Sequence, residues 1–200
     1  MDLYTPNKKL CAFRFTTKNN EPFIIAQFLK GNNIITSAYP EDELGEELLK
    51  MQAGREAKIP QAISSSLATV RESYDENSLT KFMHLGLLNT KEGYRKKGIG
   101  GEVFELTARE CFEQGIKRMF WQASSTADKL YEEHGAKPYT QTIYTHNPAD
   151  KSKRIILFVP SHMLDTSAPR TIASQPSEEF SALIHETLPE FNAFRNGRMF

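Results

Sequence analysis

The sequence has no excess of charge of either sign, little cysteine and no long apolar run, and each of these absences excludes a class of protein. Lysines plus arginines and aspartates plus glutamates number 25 each, so the formal net charge is zero. No global field is then available to hold a polyanion or an anionic bilayer, and neither nucleic acid nor membrane is expected as a partner. Cys11 and Cys111 are the two cysteines, far apart and each set in an apolar pattern. They support neither a disulfide framework nor a zinc site, so both read as small buried hydrophobes and no metal is expected. No window approaches the roughly 18 apolar residues of a membrane helix, and the opening MDLYTPNKKLCAFRF has no apolar stretch behind a basic tip. A cytoplasmic location is the expectation. With 200 residues the chain can bury one sizeable core but not two.

What is present alternates between strand and helix signals. Residues 9–17 (KLCAFRFTT) alternate apolar and polar, and Pro22 to Leu29 follows a turn-like Lys18-Asn19-Asn20, which predicts a hairpin. A short apolar stretch from Ile34 to Ala38 leads into Asp42 to Met51, where the spacing is helical and the first turn acidic. Residues 61–80 fit either a polar helix or a short strand at Leu67 to Glu72 followed by a loop; the strand is the preferred reading. Lys81 to Asn89 (KFMHLGLLN) has few charges and ends at a polar turn, as a central strand does.

Gly98 to Gln114 carries apolar residues at helical intervals and stops at Gly115, giving the clearest helix in the chain. Ile116 to Ala123 reads as the next strand. Ser125 with Asp128 three residues on looks like a capping box that opens a short helix closed by Gly135. Pro138 to Thr145, a turn at Asn147 to Asp150 and Lys153 to Pro160 suggest a second hairpin. The tail is polar to Ser177, and Glu178 to Leu188 reads as an amphipathic helix that could dock on the body or on a partner. The order is that of an α/β protein, with a main domain at residues 1–163 and an appended segment at 164–200.

The segment Tyr94 to Gly101 (YRKKGIGG) lies between the expected central strand and the strong helix. Glycines at such a place let main-chain N–H groups converge at the positive helix end and cradle phosphate; alternatively, Gly98, Gly100 and Gly101 simply ease a tight turn. The segment lacks the G-x-x-x-x-G-K-S/T spacing of a nucleotide-triphosphate loop, and Val103 stands where a dinucleotide fingerprint needs its third glycine. Arg95, Lys96 and Lys97 add positive charge beside the same turn, which suits a multiply phosphorylated ligand.

Taken together, residues 81–160 resemble the acyl-CoA-binding core of the GNAT superfamily of N-acetyltransferases. Arg95, Gly98 and Gly100 match the family's R/Q-x-x-G-x-G/A turn; Ala127, Tyr131 and Gly135 match its later A-x-x-x-Y-x-x-x-G pattern. The chain departs from the pattern at Glu92, where many members have proline, at Ser124, where many have asparagine, and at Ala136, where an aromatic usually follows the glycine. The resemblance implies an α/β (α+β) fold with a central, mostly antiparallel mixed sheet flanked by helices and a parallel pair of strands splayed at the acyl-CoA site. It implies acetyl-CoA or another acyl-CoA as co-substrate, held by Leu88, Asn89, Thr90, Arg95, Lys96, Lys97, Gly98, Ile99, Gly100, Gly101, Ser124, Ala127 and Tyr131. Residues 1–80, where the family builds acceptor specificity, match only in outline.

A lysine-like amine has a reference pKa of about 10.4, so presenting it neutral at pH 7 costs about 4.6 kcal/mol before it can attack a thioester. His84, on the expected central strand eleven residues before Arg95, is the candidate base; a single histidine on an apolar strand is more often a hydrogen-bonded core residue. By resemblance Tyr131 is the acid for the departing thiolate, and a main-chain N–H near Thr90 serves the developing oxyanion. Glu133 and His134 read as a solvated pair at a helix end. The expected activity is direct transfer of an acyl group to the amine of a small molecule or polypeptide, with a non-catalytic acyl-CoA-binding module and a long-chain N-acyltransferase as alternatives. A homodimer is compatible with an exposed sheet edge.

Overall fold

The computed structural model describes residues 10–75, 78–123, 127–146 and 156–187. β1 (Leu10–Thr16), β2 (Pro22–Lys30) and β3 (Asn33–Pro40) form an antiparallel meander, followed by α1 (Glu41–Gln52). β4 (Ser64–Asp75) and β5 (Ser78–Thr90) make a long antiparallel pair, and α2 (Ile99–Glu113) leads to β6 (Arg118–Trp121), the parallel partner of β5. α3 (Asp128–Glu133), β7 (Lys137–Pro138), β8 (Ile143–His146), β9 (Ile156–Phe158), β10 (His162–Asp165), β11 (Gln175–Pro176) and α4 (Glu178–Glu186) complete the described elements. The spatial order is β11-β1-β2-β3-β4-β5-β6-β10-β7, with β8 bridging the far half of β4 to β9. The fold is the expected mixed, mostly antiparallel sheet with one parallel pair and flanking helices.

α2 is the element around which the core assembles. Its apolar residues reach both halves of the sheet: Phe104, Ala108 and Cys111 pack with Met83, Leu85, Met119 and Trp121, while Ile99, Val103 and Leu106 pack with Phe13, Phe15, Phe23 and Ile25. A buried polar seam runs beneath it. Gln27 donates to Thr36 and to the Leu106 carbonyl, and Thr107 bonds Thr36 and Ser66, so β2, β3 and β4 are all tied to the same turns of the helix. Within a core, donors and acceptors satisfied in this way fix register better than apolar contact alone. Cys111 is buried as expected; Cys11 is only half-buried.

The outer face of α2 is covered by the C-terminal segment. The Glu102 carboxylate accepts from Ala173 N, Ser174 N and Ser174 Oγ at 2.6–3.1 Å. One turn on, Glu105 takes Nε and a terminal nitrogen of Arg170 at 2.8 and 2.7 Å, together with His134 Nδ1 at 2.6 Å. An ionised carboxylate only accepts, so Nδ1 of His134 carries the hydrogen. From there β11 pairs with β1, Ser177 caps α4, and Phe180 and Ile184 pack with Leu44 and Leu48 of α1.

Several sequence expectations are corrected. The polar tail contains β10 and β11, whose edges are specified by β6 and β1 rather than by any pattern of their own. The strand expected at Leu67 to Glu72 runs on to Asp75, and β5 starts at Ser78, so the described residues of the expected loop are paired strand; residues 76–77 lie outside the described residues. The expected single strand from Pro138 divides into β7 and β8, which pair with different neighbours, because the chain crosses from β10 to β4. The N-cap of α3 is Ala127, with no side-chain cap, in place of the Ser125 capping box; Ser125 and the turn at Asn147 to Asp150 lie outside the described residues. Glu133 and His134 are not equivalent solvated groups, since His134 belongs to the Glu105–Arg170 cluster.

Replacing Glu102 by Ala leaves three donors of the C-terminal segment without their acceptor and is expected to lower stability by about 3 kcal/mol. Urea unfolding measures the loss, and amide exchange at Ala173 and Ser174 should rise more than exchange in β2. A destabilisation below about 0.5 kcal/mol would show that the segment is not held by this carboxylate.

Candidate active site

Parallel pairing between β5 and β6 is confined to Met83 with Met119 and His84 with Phe120. From Leu85 onward β5 has no strand partner on that side among the described residues, so its main-chain groups border a gap. Opposite Leu67 and Ala68 the register slips, because Leu67 faces Leu87 while Ala68 faces Leu85. Gly86 is therefore an extra residue, a bulge that bends β5 just after the two strands separate. Its effect on side-chain direction is visible in the packing: Met83 and Leu85 face α2 before the bulge, and Leu88 does so after it.

At the end of β5, Thr90 Oγ1 bonds Ser64 Oγ at 2.9 Å, and the Thr90 carbonyl accepts from Arg95 Nε at 3.1 Å. A 3-10 turn (Glu92–Tyr94) then leads to Gly98, the N-cap of α2, with φ of 85°. A left-handed φ is cheap only for glycine; Lys96 has φ of 64° and adopts the same region at some cost. No side chain caps α2, and its first-turn N–H groups have no carbonyl four residues back, which leaves a positive helix end. Gly100 and Gly101 have a different reason. A Cβ at Gly100 would lie 2.7 Å from Thr90 Oγ1, and one at Gly101 would lie 2.6 Å from His134 Nε2. These glycines let α2 seat against β5 and α3.

The charges beside the turn are not equivalent. Lys97 is paired with Glu21 at 2.8 Å and lies 5.3 Å from the centre of the Tyr94 ring. Arg95 and Lys96 are exposed, with the Arg95 Nε directed back to Thr90. Leu88 is packed against the core, Asn89 contributes its carbonyl to Ser64, and Ile99 is buried. Ala127 packs beside the cluster of Phe104 and Trp121, and Ser124 lies outside the described residues.

Tyr131 and His84 occupy opposite faces of the sheet. Tyr131 sits on the α2 face, its ring 4.8 Å from Trp121 and 5.4 Å from Phe104. Burial, then the nearby Asp128 charge, pushes the phenol up to about 12, so it is protonated at neutral pH. His84 is on the other face, edge-on to Phe158 at 4.5 Å, beside Phe82. Burial, then the Arg71 charge, pulls its imidazole down to about 4, so it is neutral at pH 7. The two residues do not touch, and they lie on opposite sides of the strands β5 and β6, whose pairing ends at His84 and Phe120.

Two neighbours escaped sequence reasoning. The Trp121 indole nitrogen is buried without a hydrogen-bond partner. His162, on β10, stacks parallel to Trp121 at 5.8 Å, with Nδ1 at 2.9 Å from Ser161 Oγ and its ring 6.0 Å from Tyr131. A lone tryptophan and a histidine in a polar tail carry no spacing signal; only the β6–β10 pairing, His162 opposite Trp121, brings them to Tyr131.

Because the folded pKa of His84 is depressed, the unfolded chain takes up the proton first, and stability falls as pH drops from about 6.5 towards about 4. Urea midpoints at pH 7 and pH 5 should therefore differ by more in the wild type than in His84→Gln. Equal differences in both proteins would contradict the depressed pKa.

The model of the acetyltransferase (GNAT) family matches residues 67–136. No curated protein matches the chain. Among solved structures, the chain is similar to the glucosamine-6-phosphate N-acetyltransferase from Arabidopsis thaliana, at 15% identity and a TM-score of 0.41, over 55% of this chain and 63% of that one. It is similar to the NatC complex bound to Gag peptide and CoA, at 12% identity and a TM-score of 0.41, over 68% and 71%. It is also similar to the aminoglycoside acetyltransferase meta-AAC0020 from an uncultured soil metagenomic sample, at 15% identity and a TM-score of 0.37, over 53% of this chain and 57% of that one. The match thus spans little more than half the length of that last protein. The glycine turn, the bulged strand β5 and the parallel pair all fall within or beside the segment, residues 67–136, that matches the acetyltransferase (GNAT) family model.

Proposed function

We propose that the chain is an N-acyltransferase that moves an acetyl or other acyl group from acyl-CoA to a primary amine by direct transfer within a ternary complex. The observation that carries the reading is the separation of β5 from β6 at His84 and Phe120, flanked on one side by the uncapped first turn of α2 and on the other by an aromatic-walled face.

The residues present suit an acyl-CoA. The main-chain amides from Lys96 to Gly101, at the positive end of α2, would take the pyrophosphate, with the Arg95 and Lys96 side chains beside it; the Arg95 amide itself is already donated to the Glu92 carbonyl. Leu88, Asn89 and Thr90, on the unpaired stretch of β5, would line the pantetheine arm, and Ala127 with Ser124 would complete the cradle at α3. The orphaned Trp121 N–H beside Tyr131 suits a carbonyl acceptor, since an unpaired buried donor costs about 1–3 kcal/mol. When bound, acyl-CoA supplies a thioester carbonyl, the electrophile of the reaction.

Transfer forms one N–C bond and breaks one C–S bond, so the nitrogen must lose a proton and the sulfur must gain one. His84 presents a neutral imidazole to the acceptor face and accepts a hydrogen bond from the amine, directly or through water. With its pKa near 4 it is a weak base, so it orients the lone pair and hands the proton onward instead of retaining it. Tyr131 donates its hydroxyl hydrogen to the departing sulfur. A phenol near 12 holds its proton more firmly than a thiol of about 8.5, so Tyr131 steadies the thiolate as a hydrogen-bond donor while the proton reaches sulfur through water. Main-chain N–H groups along the unpaired edge of β5 serve the developing oxyanion.

Tyr131→Phe removes that donor without changing the ring packing. Turnover is expected to fall about 100-fold, while the acetyl-CoA dissociation constant measured by calorimetry stays as in the wild type. Undiminished turnover by this variant would rule out the donor role, and an absence of acyl-CoA binding by the wild type would sink the whole reading.

A further inference from the structure

On the face opposite α2, Arg71 has no ion-pair partner among the described residues. Arg71 lies on β4 directly across from Phe82, and its neighbour two residues back, Thr69, lies across from His84. Arg71 is therefore a diagonal cross-strand neighbour of His84 on the same face, about 7–8 Å away along the sheet. The Nε of Arg71 is sealed from solvent and makes no hydrogen bond, and the side chain enters no ion pair among the described residues. Arg14, Arg109 and Arg170, by contrast, each pair with a carboxylate.

The surroundings sharpen the requirement. Phe82 stacks on Phe158 and meets Phe120 edge-on, so the guanidinium stands at the rim of an aromatic floor that supplies no anion. Its charge already acts on His84, helping to keep that ring unprotonated. The same charge opposes an arriving ammonium ion. An acceptor with a second positive centre would be repelled, whereas one carrying an oxyanion would neutralise Arg71 and bring its amine to the imidazole. Partial burial favours the pairing, because a guanidinium half-shielded from water and an oxyanion attract more strongly than in bulk water, and a planar fork can hold two oxygens at once.

We propose that Arg71 determines acceptor specificity: it receives the carboxylate or phosphate of an acceptor whose primary amine lies a few bonds away, beside His84. The substrate class is then amines bearing a nearby oxyanion, in preference to neutral amines and diamines. This rests on the acyl-transfer reading for its chemistry, but the anion site itself can be tested without any turnover.

The direct test follows the Cε1–H resonance of His84 through a pH titration in chloride, in acetate and in inorganic phosphate at matched ionic strength. In the wild type, acetate or phosphate should raise the titration midpoint by neutralising Arg71. In Arg71→Gln the midpoint should be higher from the start and indifferent to the anion. Arg71→Lys keeps the charge but loses the fork, so its midpoint should stay low in chloride and respond less than the wild type, which covers the case in which the glutamine variant fails to fold. A wild-type midpoint that is the same in all three salts overturns the proposal.

The kinetic counterpart compares β-alanine with propylamine and phosphoethanolamine with ethanolamine, using acetyl-CoA and reading thiol release. At least one anion-bearing amine should have a kcat/KM roughly tenfold or more above its partner. That ratio should collapse in Arg71→Gln and shrink in Arg71→Lys, while calorimetric acetyl-CoA affinity is unchanged. Equal kcat/KM within both pairs, in a wild type that does acylate them, would likewise overturn it. Failure to bind acetyl-CoA would instead defeat the acyl-transfer reading, and the His84 titration would still decide the anion site.

Discussion

The close seat of the first turn of α2 against the end of β5 is possible because Gly100 has no Cβ: a methyl there would come within 2.7 Å of Thr90 Oγ1 and push apart the Ser64–Thr90 bond beneath it. With the helix seated, its positive end opens beside the stretch of β5 that has lost its β6 partner. With the helix displaced, the same amides would face elsewhere. The contact thus links sheet and helix at the positive end of α2, and Gly98, in its left-handed conformation, supplies the turn that makes the approach possible.

That placement is held from behind as well. Glu102 and Glu105 present carboxylates on the outer face of α2, and the C-terminal segment satisfies both, through the Ala173 and Ser174 amides and through Arg170. Burial works to raise the Glu105 carboxyl, but the hydrogen bonds from His134 and Arg170 outweigh it and hold the group below its ordinary range. The segment then continues through β11 to α4, which packs on α1. The two ends of the chain's described portion are in this way braced against the helix that carries the glycine turn, so the site rests on the whole sheet and not on its own loop.

The two faces of the sheet divide the chemistry. On the α2 side, Tyr131 keeps its proton in an aromatic cluster with Trp121, Phe104 and His162. On the other, His84 is kept unprotonated by burial and by Arg71. A phenol and an imidazole with values pushed in opposite directions thus lie on opposite faces of the sheet, and the proposed acyl transfer assigns them the two ends of the proton movement.

Sequence by itself determined the elements whose physics is local. The apolar periodicity from Gly98 to Gln114 and the glycines at its ends fix α2, and the runs at residues 10–16, 22–30 and 81–89 are strands because their side chains suit a pleated, buried surface. The glycine turn and the A-x-x-x-Y-x-x-x-G pattern around Tyr131 were legible for the same reason, since they depend on backbone conformation over a few residues. Only the tertiary structure decided the rest. β10 and β11 have no apolar alternation of their own and exist because β6 and β1 offer unpaired edges. The division of His84 from Tyr131 depends on which face each strand turns to the core, and Arg71 stands without an ion-pair partner among the described residues because Phe82 is the residue opposite it on β5. Contacts of this kind join residues distant in the chain, and no local periodicity encodes them.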